Sequence, residues 1–293
     1  MTSLKLKNII KSFPGARKGY VFIQSIAESY RVKSLRRKLS KPVLWDKNSN
    51  VIISLTSFTA RIDLSWVAIE SLFQQKFRPW KIVLVLSREE FPNKNLPNEI
   101  RIQEKRGLEV LWVDKNTKSF KKLLPVREKY PESIIVTADD DMYYIPSFLG
   151  DLIKASSHRP GIIIGHRGWV IGSQNRQLEP YNSWVPASND TFSKQCFLTS
   201  GGGMLFPPHV LPLSDLLDID LAMKLCPNAD DIWFWAISYK AGIPSFCTGK
   251  KAIIPIRSLG NTPSLYSTNG GDNLNDIQLG NVIKHFKLQL WFE

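Results

Sequence analysis

Cysteine, histidine and methionine are scarce in this chain of 293 residues, which holds three, four and four of them. Cys196, Cys226 and Cys247 are too few and too scattered for a disulfide framework, and no CxxC spacing offers zinc ligands. They read as buried thiols in a reducing, cytoplasmic setting. His158, His166, His209 and His285 show no HxH or HxxxH spacing, a second argument against zinc. No run of 18 apolar residues reads as a membrane-spanning helix. The basic N-terminus has its apolar stretch broken at Asn8-Ile9-Ile10-Lys11, too early for a secretory leader.

What the chain does have is a globular composition, 43% hydrophobic and 22% charged, in a length that allows one large domain or two small ones. Its charge is lopsided. Lys and Arg exceed Asp and Glu by 39 to 26, a formal +13. Twelve of those bases but only two acids, Glu28 and Asp46, lie in the first 50 residues, so that segment carries +10 and the rest +3. A nucleic-acid-binding protein spreads its bases over the domain that grips phosphate. Here the body is nearly neutral, which argues against a nucleic-acid partner. A basic leader on a neutral body suits an anionic membrane surface, where each Lys or Arg contributes about 1 kcal/mol.

Residues 1–48 read as two short basic helices joined at Pro14-Gly15, with Val21, Ile23, Ile26 and Tyr30 in partial apolar periodicity and Lys41-Pro42 as the closing signal. From residue 49 the pattern changes. Residues 51–56, 81–86, 108–113 and 133–138 read as buried strands. Residues 62–75 have helical spacing, and so do residues 119–130, although Pro125 interrupts the second stretch. Strands alternating with helices predict an α/β fold with a mostly parallel sheet covered on both faces. No internal repeat divides residues 49–293, which read as one domain.

Asp139-Asp140-Asp141 directly follows the fourth strand, at the kind of carboxyl end where open α/β sheets gather ligands. Adjacent carboxylates repel one another. A divalent cation, Mg²⁺ or Mn²⁺, would relieve that repulsion and bridge to substrate phosphates. A solvated acidic turn leading into the helix near Pro146 is the plain alternative. With Val51–Ser57 opening the sheet and Ser133–Asp141 ending in a DxD triplet, roughly residues 50–245 resemble the GT-A fold of nucleotide-sugar-dependent glycosyltransferases. More narrowly, the chain resembles bacterial enzymes that build lipopolysaccharide, capsule or other surface glycans. The resemblance implies a Rossmann-like catalytic domain over residues 49–293. It also implies that Asp139 and Asp141 form the DxD pair, with Asp141 on the metal and Asp139 on the ribose or the metal's water shell. Asp140 takes either part if the register shifts by one.

The resemblance implies further roles. Thr56, Ser57 and Arg61, in the turn after the first strand, lie under the nucleotide, where hydroxyl and guanidinium donors suit a base edge and phosphate oxygens. Lys118 and Lys122 share a face if a helix has begun, and a Lys of this stretch reaches the donor phosphates. Gly201-Gly202-Gly203 lies beside the transferred sugar and the acceptor. On backbone entropy alone, three consecutive glycines mark a close approach of a ligand or another segment. Asp230 and Asp231 stand beside Trp233, and helix capping or the helix dipole explains one of the two. The resemblance implies that Asp231, with Asp230 second, deprotonates the acceptor hydroxyl. His285 is the C-terminal candidate for a third metal ligand. His166-Arg167, after the strand at residues 161–165, falls on the acceptor side. Trp169, Trp184, Trp233 and Trp235 offer stacking faces to a sugar or fill the core.

These readings predict an inverting, metal-dependent glycosyltransferase. It would move a sugar from a nucleotide-sugar donor to a hydroxyl of a glycan or lipid-linked glycan, at the cytoplasmic face of the membrane. Nucleotidyl transfer is the rival, because it too uses strand-end carboxylates and a metal. It normally calls for a Gly-rich basic loop near the first strand, and Ser54–Arg61 contains no glycine.

Overall fold

The computed structural model describes residues 14–174, 177–188, 191–256 and 273–290. The first of the two helices expected over residues 1–48 falls on residues 1–13, outside the described residues. Pro14 takes the first position of a single helix, α1 (Pro14–Arg36), where its missing N–H costs nothing. Lys5, Lys7 and Lys11 of the basic leader lie outside the described residues. The leader's far end joins the body: Leu35 and Leu39 are buried in its core, with Val32, Val43 and Trp45 packed against it. Near the other end of α1, Phe22, Ile23, Ile26 and Tyr30 are exposed.

The four β-branched runs form one half of the main sheet, with the third as a half-buried edge strand, as such residues pack well on a pleated surface. These are β1 (Val51–Thr56), β2 (Lys81–Ser87), β3 (Glu109–Val113) and β4 (Ile134–Asp139), paired in parallel in the order 3-2-1-4. Helices α2 (Ile62–Phe73) and α3 (Asn98–Lys105) make the first two crossovers. The third is not the single helix expected over residues 119–130. A 3₁₀ turn, Lys118–Lys122, precedes a short α4 (Leu124–Lys129), and Pro125 sits in the first turn of α4, where a proline is tolerated.

Beyond β4, a short β5 (Met142–Tyr144) and α5 (Phe148–His158) lead to β6 (Ile163–Gly165) and β7 (Gly168–Val170). The small strands β8 (Ser173–Gln174), β9 (Gln177–Leu178), β10 (Val185–Pro186), β11 (Thr191–Ser193) and β12 (Cys196–Leu198) precede β13 (Met204–Phe206). Helices α6 (Leu213–Leu216), α7 (Ile219–Leu225) and α8 (Asp230–Lys240) follow, then β14 (Ser245–Cys247), β15 (Ile253–Pro255) and α9 (Leu274–Phe286). The main sheet runs 11-14-6-13-4-1-2-3, with β13 antiparallel to both β4 and β6. Strands β10, β7 and β12 make a separate small sheet. All three cysteines are buried and unpaired, and burial pushes the Cys196 and Cys226 thiols up to about 12, where they are inert.

This topology positions the site. Thr56 lies opposite Asp139 in the β1–β4 register, so the turn after β1 meets the acidic triplet. Because β13 runs antiparallel, its leading residues Ser200–Gly203 arrive at the same carboxyl edge.

The leader is fastened by a buried ion pair. Glu70 of α2 is fully buried and takes two hydrogen bonds from Arg106, at 2.6 and 3.1 Å. Arg106 Nε in turn donates to the Lys41 carbonyl at 2.7 Å. Glu70→Ala strands the guanidinium and is expected to cost about 3–5 kcal/mol in urea unfolding. Glu104→Ala, which removes the more exposed i,i+3 pair with Arg101, should cost no more than about 1 kcal/mol. Equal losses in the two variants would deny the buried pair its fastening role.

Candidate active site

The carboxyl ends of β1 and β4, the turn before β13 and the first turn of α8 border a cavity of about 1040 Å³. Thr56, Ser57, Arg61, Lys118, Lys122, Asp139, Asp140, Asp141, Gly201, Asp230 and Asp231 all line it. Gly202, Gly203, Trp233 and His285 do not line it.

Within the triplet, each carboxylate has a different environment. Asp140 is almost fully buried and accepts from Ser57 Oγ at 2.6 Å and Arg61 Nη1 at 3.1 Å. The same Nη1 reaches Asp141 Oδ2 at 2.9 Å. Asp139 accepts from Lys122 Nζ at 2.7 Å. Burial opposes the charge on Asp139, but Lys122, Arg167 and Arg61 outweigh it and hold this carboxyl below the usual range. Burial pushes Asp140 up to about 6 against the pull of Arg61 and Ser57. Asp141 is raised by burial and by its neighbour Asp139.

Asp230 and Asp231 open α8, but neither side chain caps it. Both turn to Ser200: its backbone N–H donates to Asp231 Oδ1 at 2.7 Å and its hydroxyl to Asp230 Oδ2 at 3.0 Å. Burial and the adjacent Asp230 push the Asp231 carboxyl up to about 7. Lys122 joins the two acidic groups, standing 2.7 Å from Asp139 and 3.4 Å from Asp230. Burial disfavours its charge, but Asp139, Asp230 and Asp231 more than compensate and raise its pKa.

Several expectations need correction. The Lys122 ammonium is committed to carboxylates, so it is not a free phosphate ligand. The Thr56 and Ser57 hydroxyls donate within the protein, to the Val85 carbonyl and to Asp140. Trp233 is fully buried, with its indole N–H on the Leu216 carbonyl and its ring near Phe286, so it is core and not a sugar platform. His285 is an exposed residue in the last turn of α9, set edge-on to Phe286 and away from the triplet's cavity. His166 is a buried strut between Thr248 and the Phe148 carbonyl.

The glycine triplet serves the protein's own close contacts. A Cβ at Gly201 would stand 1.9 Å from Asp139 Oδ2, and one at Gly202 would stand 2.6 Å from Arg167 Cβ. Gly203 has φ +91° and faces the Phe148 ring. Ser200 and Arg167 are the cavity residues to which sequence reasoning gave too little weight. The signal was their position, Ser200 leading into three glycines and Arg167 just beyond a buried strand.

Among the described residues, no group of three His, Cys, Asp or Glu side chains is arranged to hold a metal. Two observations nevertheless fit a divalent cation. Asp141 Oδ1 is buried without a hydrogen-bond partner. Five carboxyl groups (Asp139, Asp140, Asp141, Asp230 and Asp231) line a cavity in which Arg61 and Lys122 stand at ion-pair distance from the first four. Mg²⁺ and Mn²⁺ are commonly held by one or two carboxylates plus substrate phosphates, which is what Asp141 and Asp139 could supply.

Gly201→Ala forces Asp139 aside and is expected to cost about 1–3 kcal/mol in chemical denaturation. Gly280→Ala in α9 has open space around its Cβ and should instead stabilise slightly. A neutral Gly201→Ala would show that the Asp139 contact is not tight.

No family model matches the chain, and no curated protein matches it. Among solved structures, similarity extends to 4-diphosphocytidyl-2C-methyl-D-erythritol synthase from Anaerococcus prevotii, at TM-score 0.47 and 12% identity, over 80% of this chain and 98% of that one. A cytidylyltransferase from Leptospira borgpetersenii gives TM-score 0.41 and 14% identity over 83% and 97%. S. aureus TarS 1–349 gives 0.44 and 12% over 69% of this chain and 59% of that one. At such distances the likenesses assign no activity, and the α/β class rests on the sheet itself.

Proposed function

We propose that the chain is a glycosyltransferase that takes a sugar from a nucleoside diphosphate donor and transfers it to a hydroxyl of a glycan or lipid-linked glycan. The observation that carries this reading is the meeting, in one cavity, of the strand-end triplet and the Asp230–Asp231 pair, joined by Lys122. A reaction with a leaving diphosphate and an attacking hydroxyl needs an ionised carboxylate at one end and a near-neutral base at the other. Asp139 and Asp231 are tuned in those opposite directions.

A divalent cation held by Asp141 and Asp139 would neutralise the leaving diphosphate. Lys118, on the cavity wall with its ammonium on Asn228, is the lysine left to meet donor phosphate. Arg61 braces Asp140 and Asp141, while Lys122 spaces the triplet from the acid pair. Asp231 takes the acceptor proton as the hydroxyl oxygen bonds to the anomeric carbon and the bond to the diphosphate breaks, with inversion.

Nucleotidyl transfer is the second reading, and two of the three solved structures described above are named for cytidylyl chemistry. The turn at residues 56–61 favours the first reading, since it lacks glycine and its Arg61 is bound to two aspartates. Phosphorus NMR of the protein with Mn²⁺ and panels of nucleotide sugars and nucleoside triphosphates separates the two. Release of nucleoside diphosphate is expected; release of pyrophosphate would replace the first reading with the second. Asp231 acts unprotonated, so turnover should rise as pH passes about 7. Asp231→Asn should lower kcat by roughly 10²–10⁴ and leave donor affinity in place. An unchanged kcat would remove Asp231 from the mechanism.

The place of work is proposed to be an anionic membrane surface. No helix among the described residues is long and apolar enough to cross a membrane. In support of surface attachment, α1 exposes Phe22, Ile26 and Tyr30, four apart and therefore on one face, with Lys33 and Arg37 exposed farther along. Cosedimentation with phosphatidylglycerol vesicles should be strong at low salt and weaken as salt is added. Paired Phe22→Glu and Ile26→Glu substitutions should release the protein, and undiminished binding would exclude this face.

A further inference from the structure

One face of the small β10-β7-β12 sheet has no part in the scheme above. Side chains alternate along a strand, so Arg167, just before β7, and Trp169 within it stand on the same face. In the β7–β12 register Phe197 lies opposite Trp169, and Thr199 follows two residues later on the same side. All four line the cavity. Trp184, just before β10, packs on Phe197 with ring centroids 5.4 Å apart. The result is an aromatic shelf with a guanidinium at one end.

That guanidinium is positioned but not neutralised. Arg167 Nε donates to Thr199 Oγ1 at 2.7 Å, and Gly202 leaves the room its side chain needs. Among the described residues it makes no ion pair, whereas Arg61, Lys121 and Lys122 are each held by carboxylates. Its charge still acts on Asp139, so it stands near the centre where transfer would occur.

We propose that this face is the acceptor subsite and that the acceptor is an acidic sugar. A pyranose ring would lie on Trp169 while its carboxylate or phosphate takes paired hydrogen bonds from Arg167. The inference rests on the glycosyl-transfer reading and adds the acceptor's chemical class to it. Arg167 is a specificity residue in this scheme, with Thr199 as the group that orients it.

The test titrates the full chain, loaded with UDP and Mn²⁺, with three disaccharides that differ in one substituent: neutral, uronate and phosphate monoester. Intrinsic tryptophan fluorescence reports binding. At least one acidic disaccharide should bind about tenfold tighter than the neutral one, and the better of the two identifies the anion. Arg167→Gln should abolish that preference, Arg167→Lys should restore part of it, and Trp169→Ala should weaken all three sugars. The UDP and Mn²⁺ thermal shift should be the same in wild type and Arg167→Gln. Equal binding of neutral and acidic disaccharides to the wild type would overturn the proposal. So would a variant that loses the nucleotide shift but keeps the acid preference, which would assign Arg167 to the donor. Failure of the underlying reading is seen separately, as absence of nucleoside diphosphate release from every nucleotide sugar.

Discussion

The site depends on one buried ammonium. Lys122 has almost no contact with water, and its charge is tolerable because Asp139 and Asp230 lie at 2.7 and 3.4 Å. Those carboxylates come from the end of a strand and the start of a helix about 90 residues later, and without a cation between them they would repel. Lys122 therefore sets how far apart the two acidic groups stand. Its own position follows from local chain geometry. The 3₁₀ turn Lys118–Lys122 ends just before α4, so the last lysine of the turn points inward and does not continue along a helical surface.

The charge balance around that lysine explains the tuning of the remaining groups. With two cations paired to four of five carboxyl groups, full ionisation would leave a surplus of negative charge in a poorly solvated space. The protein resolves this unevenly: Asp139 keeps its charge, while Asp140 rises to about 6 and Asp231 to about 7. A divalent cation at Asp141 would cancel the surplus at the end where a diphosphate would leave. The carboxylate repulsion that suggests a metal from sequence is thus relieved only in part by Arg61 and Lys122.

The four parallel strands and the location of the acidic triplet were legible because both are local patterns. A β-branched run marks a strand packed on at least one face, and acids that end such a run must be partnered or solvated. The acid pair at residues 230–231 was legible for a similar reason. Pairing was not legible. Arg61 meets Asp140 across 79 residues and Lys118 meets Asn228 across 110, and no local pattern records which base finds which partner. Trp233 was misread because a tryptophan beside two aspartates looks the same in sequence whether its ring faces the cavity or the core. The glycine triplet did signal a close approach, but what approaches includes Asp139 and Arg167 of the same chain.

The leader and the site share a scaffold, which the charge count alone could not reveal. Helix α2 begins immediately after Arg61, whose guanidinium braces Asp140 and Asp141. Its middle carries Trp66, under the Arg36 guanidinium at 5.0 Å, and Glu70, which holds Arg106 and through it the Lys41 carbonyl. Farther along, Ser71 Oγ accepts from the Tyr144 backbone N–H at 3.0 Å, and the Tyr144 hydroxyl lies 2.6 Å from the Asp139 backbone nitrogen. One helix is thus linked to the acidic triplet through Arg61 at its start and through Tyr144 near its end, and it anchors the basic leader on its flank. Because interiors are close-packed, α2 cannot shift relative to one of these partners without straining its contacts with the other. Attachment of α1 to a surface would therefore fix the orientation of the cavity as well as the location of the protein. A lipid-linked acceptor, confined to that surface, would then meet a cavity held at a set orientation to it.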